Sequence, residues 1–285
     1  MRSWVQAAGL LVLLGANGCG DGSGDGAPAG GASSAGGSAA MGNGGSATAK
    51  GGAAAASGGA ASAGAPTSSS ATFGDAHDGQ YHLGPVDFAE TEWHNACAPE
   101  GGYRSALRNA TGLGGEYLAG VSNSYQLNGA VCDACVQITT QTGRTIVARV
   151  VTYGVSNAPG DLDVSPSVYA ALNTNEYPRS MSWRFAKCPD TGSLSYEFQT
   201  EANPYWTSLW VRNPRVPITK VEVKSANHAD FFALRRELDG TVNDDGGFGT
   251  GAFTLRITGM DGSVVTDSAS GFSAGELKAS SAQFP

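Results

Sequence analysis

The chain has 285 residues, with 17 basic and 25 acidic side chains, a net charge of −8 and five cysteines. No cluster of Lys or Arg stands out. That excludes the electrostatic footprint of a nucleic-acid binder and makes strongly anionic polymers poor partners.

The first segment reads as an export signal. Arg2 is the charged start, and Val5 to Ala16 is a short, largely apolar run ending in Ala16-Asn17-Gly18-Cys19. The run is too short to span a membrane. Small residues before a Cys resemble a bacterial lipobox, so residues 1–19 are expected to be a lipoprotein-type signal and Cys19 the lipidated mature N-terminus. Residues 20–72 are dominated by Gly, Ala and Ser, which cannot bury apolar area. They are expected to form a disordered tether that holds the working part away from a membrane.

Four cysteines remain: Cys97, Cys132, Cys135 and Cys188. In an exported chain an even number favours two disulfides, with three connectivities open. Cys132-Asp133-Ala134-Cys135 has a zinc-like spacing, but one CxxC pair without a second is a weak metal signal. No metal or cofactor is expected.

Residues 73–99 carry Gly, Asp, His and aromatics with no clear period, and read as irregular or short-strand structure. Trp93 and His94 lie here, Trp93 as core or as a groove platform, His94 as a surface residue or a groove residue. Tyr103 to Asn109 reads as a short helix. From Tyr117 the pattern turns to β. Val136 and Ile138 alternate with polar residues, Thr142-Gly143 makes a turn, and Ile146, Ala148 and Val150 alternate again, as in a hairpin. Thr152 and Tyr153 follow.

Gly160-Asp161-Leu162-Asp163-Val164-Ser165-Pro166 concentrates the chemistry. Ser165-Pro166 predicts a helix start, a Ser N-cap with Pro in the first turn, and Val168, Ala171 and Leu172 share one helix face. Leu162 and Val164 alternate with Asp161 and Asp163, placing two apolar side chains on one side of an extended chain and two carboxylates on the other. The plainer alternative makes Asp161 a solvated loop residue and Asp163 a charge near the helix N-terminus. Met181 to Phe185 reads as a further strand ending at Cys188-Pro189.

Beyond residues 190–193 the pattern is β alone. Ser208–Arg212, Ile218–Val223, Phe253–Ile257 and Val264-Val265 alternate between turn-rich segments, as in a small β-sandwich. Tyr205 and Trp206 are adjacent and cannot both point inward from one strand. At least one is expected to be exposed, as in modules that stack on sugar rings, the alternative being that both fill a domain junction.

Together, Gly-Asp-Leu-Asp-Val-Ser-Pro before a helix, the Trp183-Arg184 strand, Pro204-Tyr205-Trp206-Thr207-Ser208-Leu209-Trp210-Val211-Arg212-Asn213, Val216-Pro217-Ile218 and a Phe248–Phe253 strand resemble the bacterial expansin family over roughly residues 75–285. The resemblance implies a mainly β chain: a six-stranded double-psi β-barrel at residues 73–192, then an immunoglobulin-like, carbohydrate-binding β-sandwich at 193–285. It implies a protein that loosens cell walls by disrupting polysaccharide contacts without hydrolysis. The family's essential acid falls on Asp163 and its ring-stacking aromatics on Tyr205 and Trp206, with Thr152, Tyr153, Asp161, Trp93 and His94 expected along the groove. The chain departs from the family at three places. The upstream groove Asp is replaced by Thr152. The Thr-Tyr-Thr near the start has Tyr81-His82-Leu83 as its nearest counterpart. The third aromatic of the strip falls near Leu238–Gly240, where none occurs.

Inverting endoglucanases, which resemble expansins in the barrel, need a second carboxylate about 6.5–9.5 Å from the acid. Their base lies in a Trp-Asp-Cys-Cys stretch, and the similar stretch here, Trp93-His94-Asn95-Ala96-Cys97, has no carboxylate. Asp163 is therefore read as hydrogen-bonding a glycan rather than cleaving it. The competing readings are a lytic transglycosylase of the rare-lipoprotein type, which needs one acid only, an inverting glycosidase, and a pure binding module. The expected partner is an insoluble neutral glycan such as cellulose, and the chain is expected to be monomeric and exported, held to the cell surface by its lipid.

Overall fold

The computed structural model describes residues 70–84, 86, 96–99, 102, 117–155, 158–189 and 191–285. The signal and Cys19, most of the tether, Trp93, His94 and the Tyr103–Asn109 helix lie outside the described residues. Those described belong to one compact unit.

In chain order the first part contains β1 (Thr72–Leu83), β2 (Leu118–Ser122), β3 (Cys135–Thr140), β4 (Thr145–Val155), β5 (Leu162–Val164), α1 (Pro166–Leu172) and β6 (Ser180–Ala186). The strands close into a six-stranded barrel in the order β1-β5-β2-β4-β3-β6, β6 returning to β1. Two pairs are parallel, β1 with β5 and β2 with β4, and the rest antiparallel. The hairpin runs as its alternation predicts: Val136, Ile138, Ile146, Ala148 and Val150 all enter the barrel core with Tyr81, Leu162, Val164 and Trp183. Trp183 satisfies its indole by donating Nε1–H to the Gly160 carbonyl at 2.9 Å, as a buried Trp requires.

Three expectations need correction. The segment read as irregular or short-strand structure opens with a 12-residue strand, β1. Its own sequence has little β character, with glycines at 74 and 79 and few apolar residues. Pairing with β5 and β6 imposes the conformation, and a register shift between Phe73 and His77 absorbs the misfit. Ser165 does hold the N-cap position before Pro166, yet its hydroxyl caps nothing. It accepts the Leu118 amide at 3.2 Å and ties the helix start to β2. Finally, Phe248–Ala252 is a turn with Gly249 and Gly251 at positive φ, and the strand starts only at Phe253.

The second part contains β7 (Ser195–Phe198), β8 (Thr207–Arg212), β9 (Ile218–Lys224), β10 (Phe232–Ala233), β11 (Arg235–Arg236), β12 (Val242–Asp244), β13 (Phe253–Gly259), β14 (Val264–Ala269) and β15 (Leu277–Ala279). They form two sheets, β10-β9-β13-β14 and β11-β12-β8-β7-β15. Inward residues of both, among them Tyr196, Phe198, Leu209, Val221, Val223, Leu255 and Ile257, build one core between them. This is a β-sandwich, so the mainly β reading, barrel then sandwich, holds.

The disulfides join Cys97 to Cys132 and Cys135 to Cys188. The CxxC pair is thus split between two bridges and offers no thiolate to zinc. The outer face of β7 and β8 packs on the barrel through charge. Arg212, fully buried, donates Nε–H to Glu197 Oε2 at 2.7 Å and Nη1–H both to Asp133 Oδ2 at 2.7 Å and to the Cys97 carbonyl at 2.8 Å. Arg149 donates to the Asp133 carbonyl and to Asn213 Oδ1. The backbones also interlock. A Cβ on Gly129 would lie 2.0 Å from the Glu237 carbonyl oxygen, and one on Gly240 would lie 2.6 Å from Cys132 Cβ.

Candidate functional site

Alternation about Tyr81, Leu162 and Val164 points their side chains into the barrel and sends the intervening residues outward. Pairing then aligns those outward residues. His82 pairs with Asp163, Asp163 with Gly120, and Gly120 with Thr152. The result is a row across β1, β5, β2 and β4: imidazole, carboxylate, bare backbone, hydroxyl. Gly120, itself buried, contributes no side chain between the Asp163 and Thr152 positions. Gly84 closes over Asp163 from the other side, near enough that a Cβ there would meet Asp163 Cβ at 2.7 Å.

The structure brings Asp163 and Asp161 to one side, as alternation predicts, but gives them different surroundings. Asp163 is half-buried, whereas Asp161 is only 8% exposed. Asp161 Oδ1 accepts the Gln80 amide at 2.7 Å and its Oδ2 lies 3.2 Å from His82 Nε2. Asp161 is therefore no solvated loop residue. It holds β1 and steadies His82 beside Asp163.

Thr152 accepts the Ala96 amide at 3.3 Å. Tyr153 packs half-buried toward the sandwich, and burial, then the Asp239 carboxylate, raises its phenol above the usual range. Asp239 in turn accepts Trp210 Nε1–H on its carbonyl at 2.9 Å. A cleft lined by Ala98, Pro99, Gln199, Glu201, Trp210 and Asp239 starts here. Its far residue Glu201 precedes the turn that carries Tyr205. On that turn Asn203 Oδ1 accepts the amides of both Tyr205 and Trp206. Tyr205 is 79% exposed and Trp206 half-buried, so the alternative of two rings filling the junction does not apply. The aromatic that does fill the junction is Trp210.

His82 is the residue that sequence reasoning undervalued. The signal was present in Gln80-Tyr81-His82, polar residues flanking a core aromatic, but its partner Asp163 lies 81 positions further along the chain. The third aromatic position holds Leu238, exposed and aliphatic.

No protein-family model matches the chain. Among curated proteins it is 28% identical over 111 residues to "Expansin-YoaJ" of Bacillus subtilis (strain 168), an alignment covering 39% of this chain and 47% of that protein. It is 22% identical over 181 residues to "Expansin-like protein 6" of Dictyostelium discoideum, covering 60% of each. Matches to these relatives span about half of their length. Two Clavibacter michiganensis expansin crystal structures superpose with TM-scores of 0.57 and 0.58 at 17% identity, covering 73% of this chain and 98% of theirs. One is an apo form and the other an Asp-to-Asn variant in complex with cellohexaose.

The chain is related to the expansins. The structural likeness carries the shared architecture of barrel and sandwich, and the curated matches carry the kinship. In this expansin relative the barrel row presents polar groups and Tyr205 presents an exposed ring.

Proposed function

We propose that the protein binds insoluble neutral polysaccharide and loosens contacts between its chains without cleaving them. The row His82–Asp163–Gly120–Thr152 carries the reading. In line with Asp163, beyond Gly120, the register places the hydroxyl residue Thr152, and a hydroxyl at neutral pH is no general base. Asp161, the other acid beside it among the described residues, is already engaged by Gln80 and His82. Asp163 is thus placed to accept hydrogen bonds from sugar hydroxyls, while Tyr205, with Trp206 beside it, stacks on pyranose faces. Binding along both surfaces supplies the energy that separates one glycan from its neighbours. The Clavibacter michiganensis expansin variant in complex with cellohexaose makes a β-glucan the first probe.

In this reading residues 73–192 are the groove domain and 193–285 the binding domain. Residues 1–19 export the chain, Cys19 carries a lipid and residues 20–72 are the tether.

The test is a cellulose pull-down combined with mechanical weakening of cellulose paper and a reducing-sugar measurement in the same tubes. Tyr205→Ala is expected to weaken cellulose binding at least about tenfold and to abolish weakening. Asp163→Ala is expected to retain binding and lose weakening. Sugar release by the wild type that disappears in Asp163→Asn overturns the non-lytic reading, and anhydro-sugar ends from peptidoglycan would replace it with transglycosylase chemistry.

A further inference from the structure

The barrel carries a second concave surface that the row does not use. It lies on the outside of β1, β6 and β3. Asp78 pairs with Ser182 and Ser182 with Thr139, while Gln80 pairs with Ser180. These side chains, with Gln141 from the β3–β4 turn, line an open cleft, and Asp161 forms one wall.

The lining decides which ligand suits the cleft. It combines hydroxyls, amides and two carboxylates, so it both donates and accepts, and no Lys or Arg contributes. Anions have no counter-charge there. Apolar ligands have almost nothing to cover, since Met181, the one large apolar residue in the lining, belongs to the core. A neutral ligand with many hydroxyls fits both the chemistry and the shallow shape. An exposed aromatic stands nearby: Tyr177, 86% exposed, precedes Ser180 by three residues, a reach of no more than about 10 Å.

The cleft is also continuous with the row. Asp78, Gln80 and His82 are successive outward positions of β1, so the cleft residues lead along one strand to the imidazole beside Asp163. At about 3.3 Å per residue that path spans roughly 13 Å, longer than a single sugar ring. Asp161 belongs to both places, walling the cleft while holding His82.

We infer that this cleft is an additional saccharide subsite, in which one neutral glycan chain lies along β1, passes His82 and Asp163 and stacks a ring on Tyr177. The inference rests on the polysaccharide-binding reading above and extends it away from the sandwich.

Amide NMR of the full chain titrated with cellohexaose tests it. Shifts at Thr139, Gln141, Ser180 and Ser182 are expected. Gln80→Ala, Ser182→Arg and Tyr177→Ala are each expected to raise the cellohexaose Kd about fivefold or more with unchanged thermal midpoints. Three variants guard against one that folds poorly, and the wild-type shift map needs none of them. Cellohexaose shifts confined to the surroundings of Tyr205 overturn the subsite and leave the proposed function standing. No shift anywhere also overturns the subsite, and an empty cellulose pull-down beside it overturns the function as well.

Discussion

Gly84 and Asp163 illustrate how tightly single residues are set at the row. Any side chain at 84 must displace Asp163, because a Cβ there would lie at 2.7 Å, closer than Cβ atoms approach other carbons. Gly84→Ala is therefore expected to lower cellulose weakening at least about tenfold while cellulose binding stays within about twofold. Equal loss of both would mean that Asp163 placement is not what the glycine serves. Ser165 makes a different point. Its hydroxyl serves the buried Leu118 amide rather than the helix, so Ser165→Ala leaves that amide without this acceptor and is expected to cost about 1–3 kcal/mol in urea unfolding. A cost near zero would show the amide satisfied elsewhere.

At the scale of elements, edge-to-edge pairing is supported by charge on the outer face of β9 and β13. Glu222 receives Arg256 Nε–H at 2.8 Å and Nη2–H at 2.7 Å and lies 2.7 Å from Lys220 Nζ. The Arg256 hydrogen bonds, then that of Lys220, hold its carboxyl down at about 2. Folding thus favours the ionised form. The stabilisation is fully present above the ordinary carboxylate range and is lost as pH falls from about 4.5 toward about 2. The stability gap between wild type and Glu222→Gln is expected to shrink across that window and to narrow in high salt. A gap that grows on acidification would refute the sign. Glu176 follows the same rule. Hydrogen bonds from Thr174, then Tyr81, hold it at about 2 and lock the α1–β6 connection to β1.

Across the whole molecule, the two halves meet through buried ions beside a small apolar cluster in which Leu277 packs with Val86, Leu118 and Val151. Arg212 bridges Glu197 of the sandwich and Asp133 of the barrel, with all three essentially out of water. Removing the cation takes a buried partner from two carboxylates, of which Asp133 keeps Arg149 at 3.9 Å, and loss of one member of a buried pair typically costs about 3–5 kcal/mol. Arg212→Ala is expected to lower the unfolding free energy by that order. It is also expected to uncouple the halves, so that cellulose binding through Tyr205 survives and mechanical weakening is lost. A variant that keeps full weakening would show that the junction need not be rigid. The Cys135–Cys188 bridge, closing 53 residues of sequence separation, adds a constraint on the unfolded chain, and reduction is expected to cost about 2–5 kcal/mol.

What the sequence alone determined were the features written in neighbouring residues. Alternation set the β3–β4 hairpin, the inward faces of the sandwich strands, and the split of Leu162 and Val164 from Asp161 and Asp163. Adjacency of Tyr205 and Trp206 required that one be exposed. Tertiary structure alone decided which distant segments meet. The 12-residue β1 has no period of its own and exists because β5 and β6 pair with it. Disulfide partners, the pairing of His82 with Asp163, the capture of Asp161 by Gln80 and the Arg212 bridge all join residues far apart in the chain. Side-chain period is local and survives in one dimension, whereas register and long-range pairing are set by the closure of the barrel and the packing of its neighbour, which no short window of residues encodes.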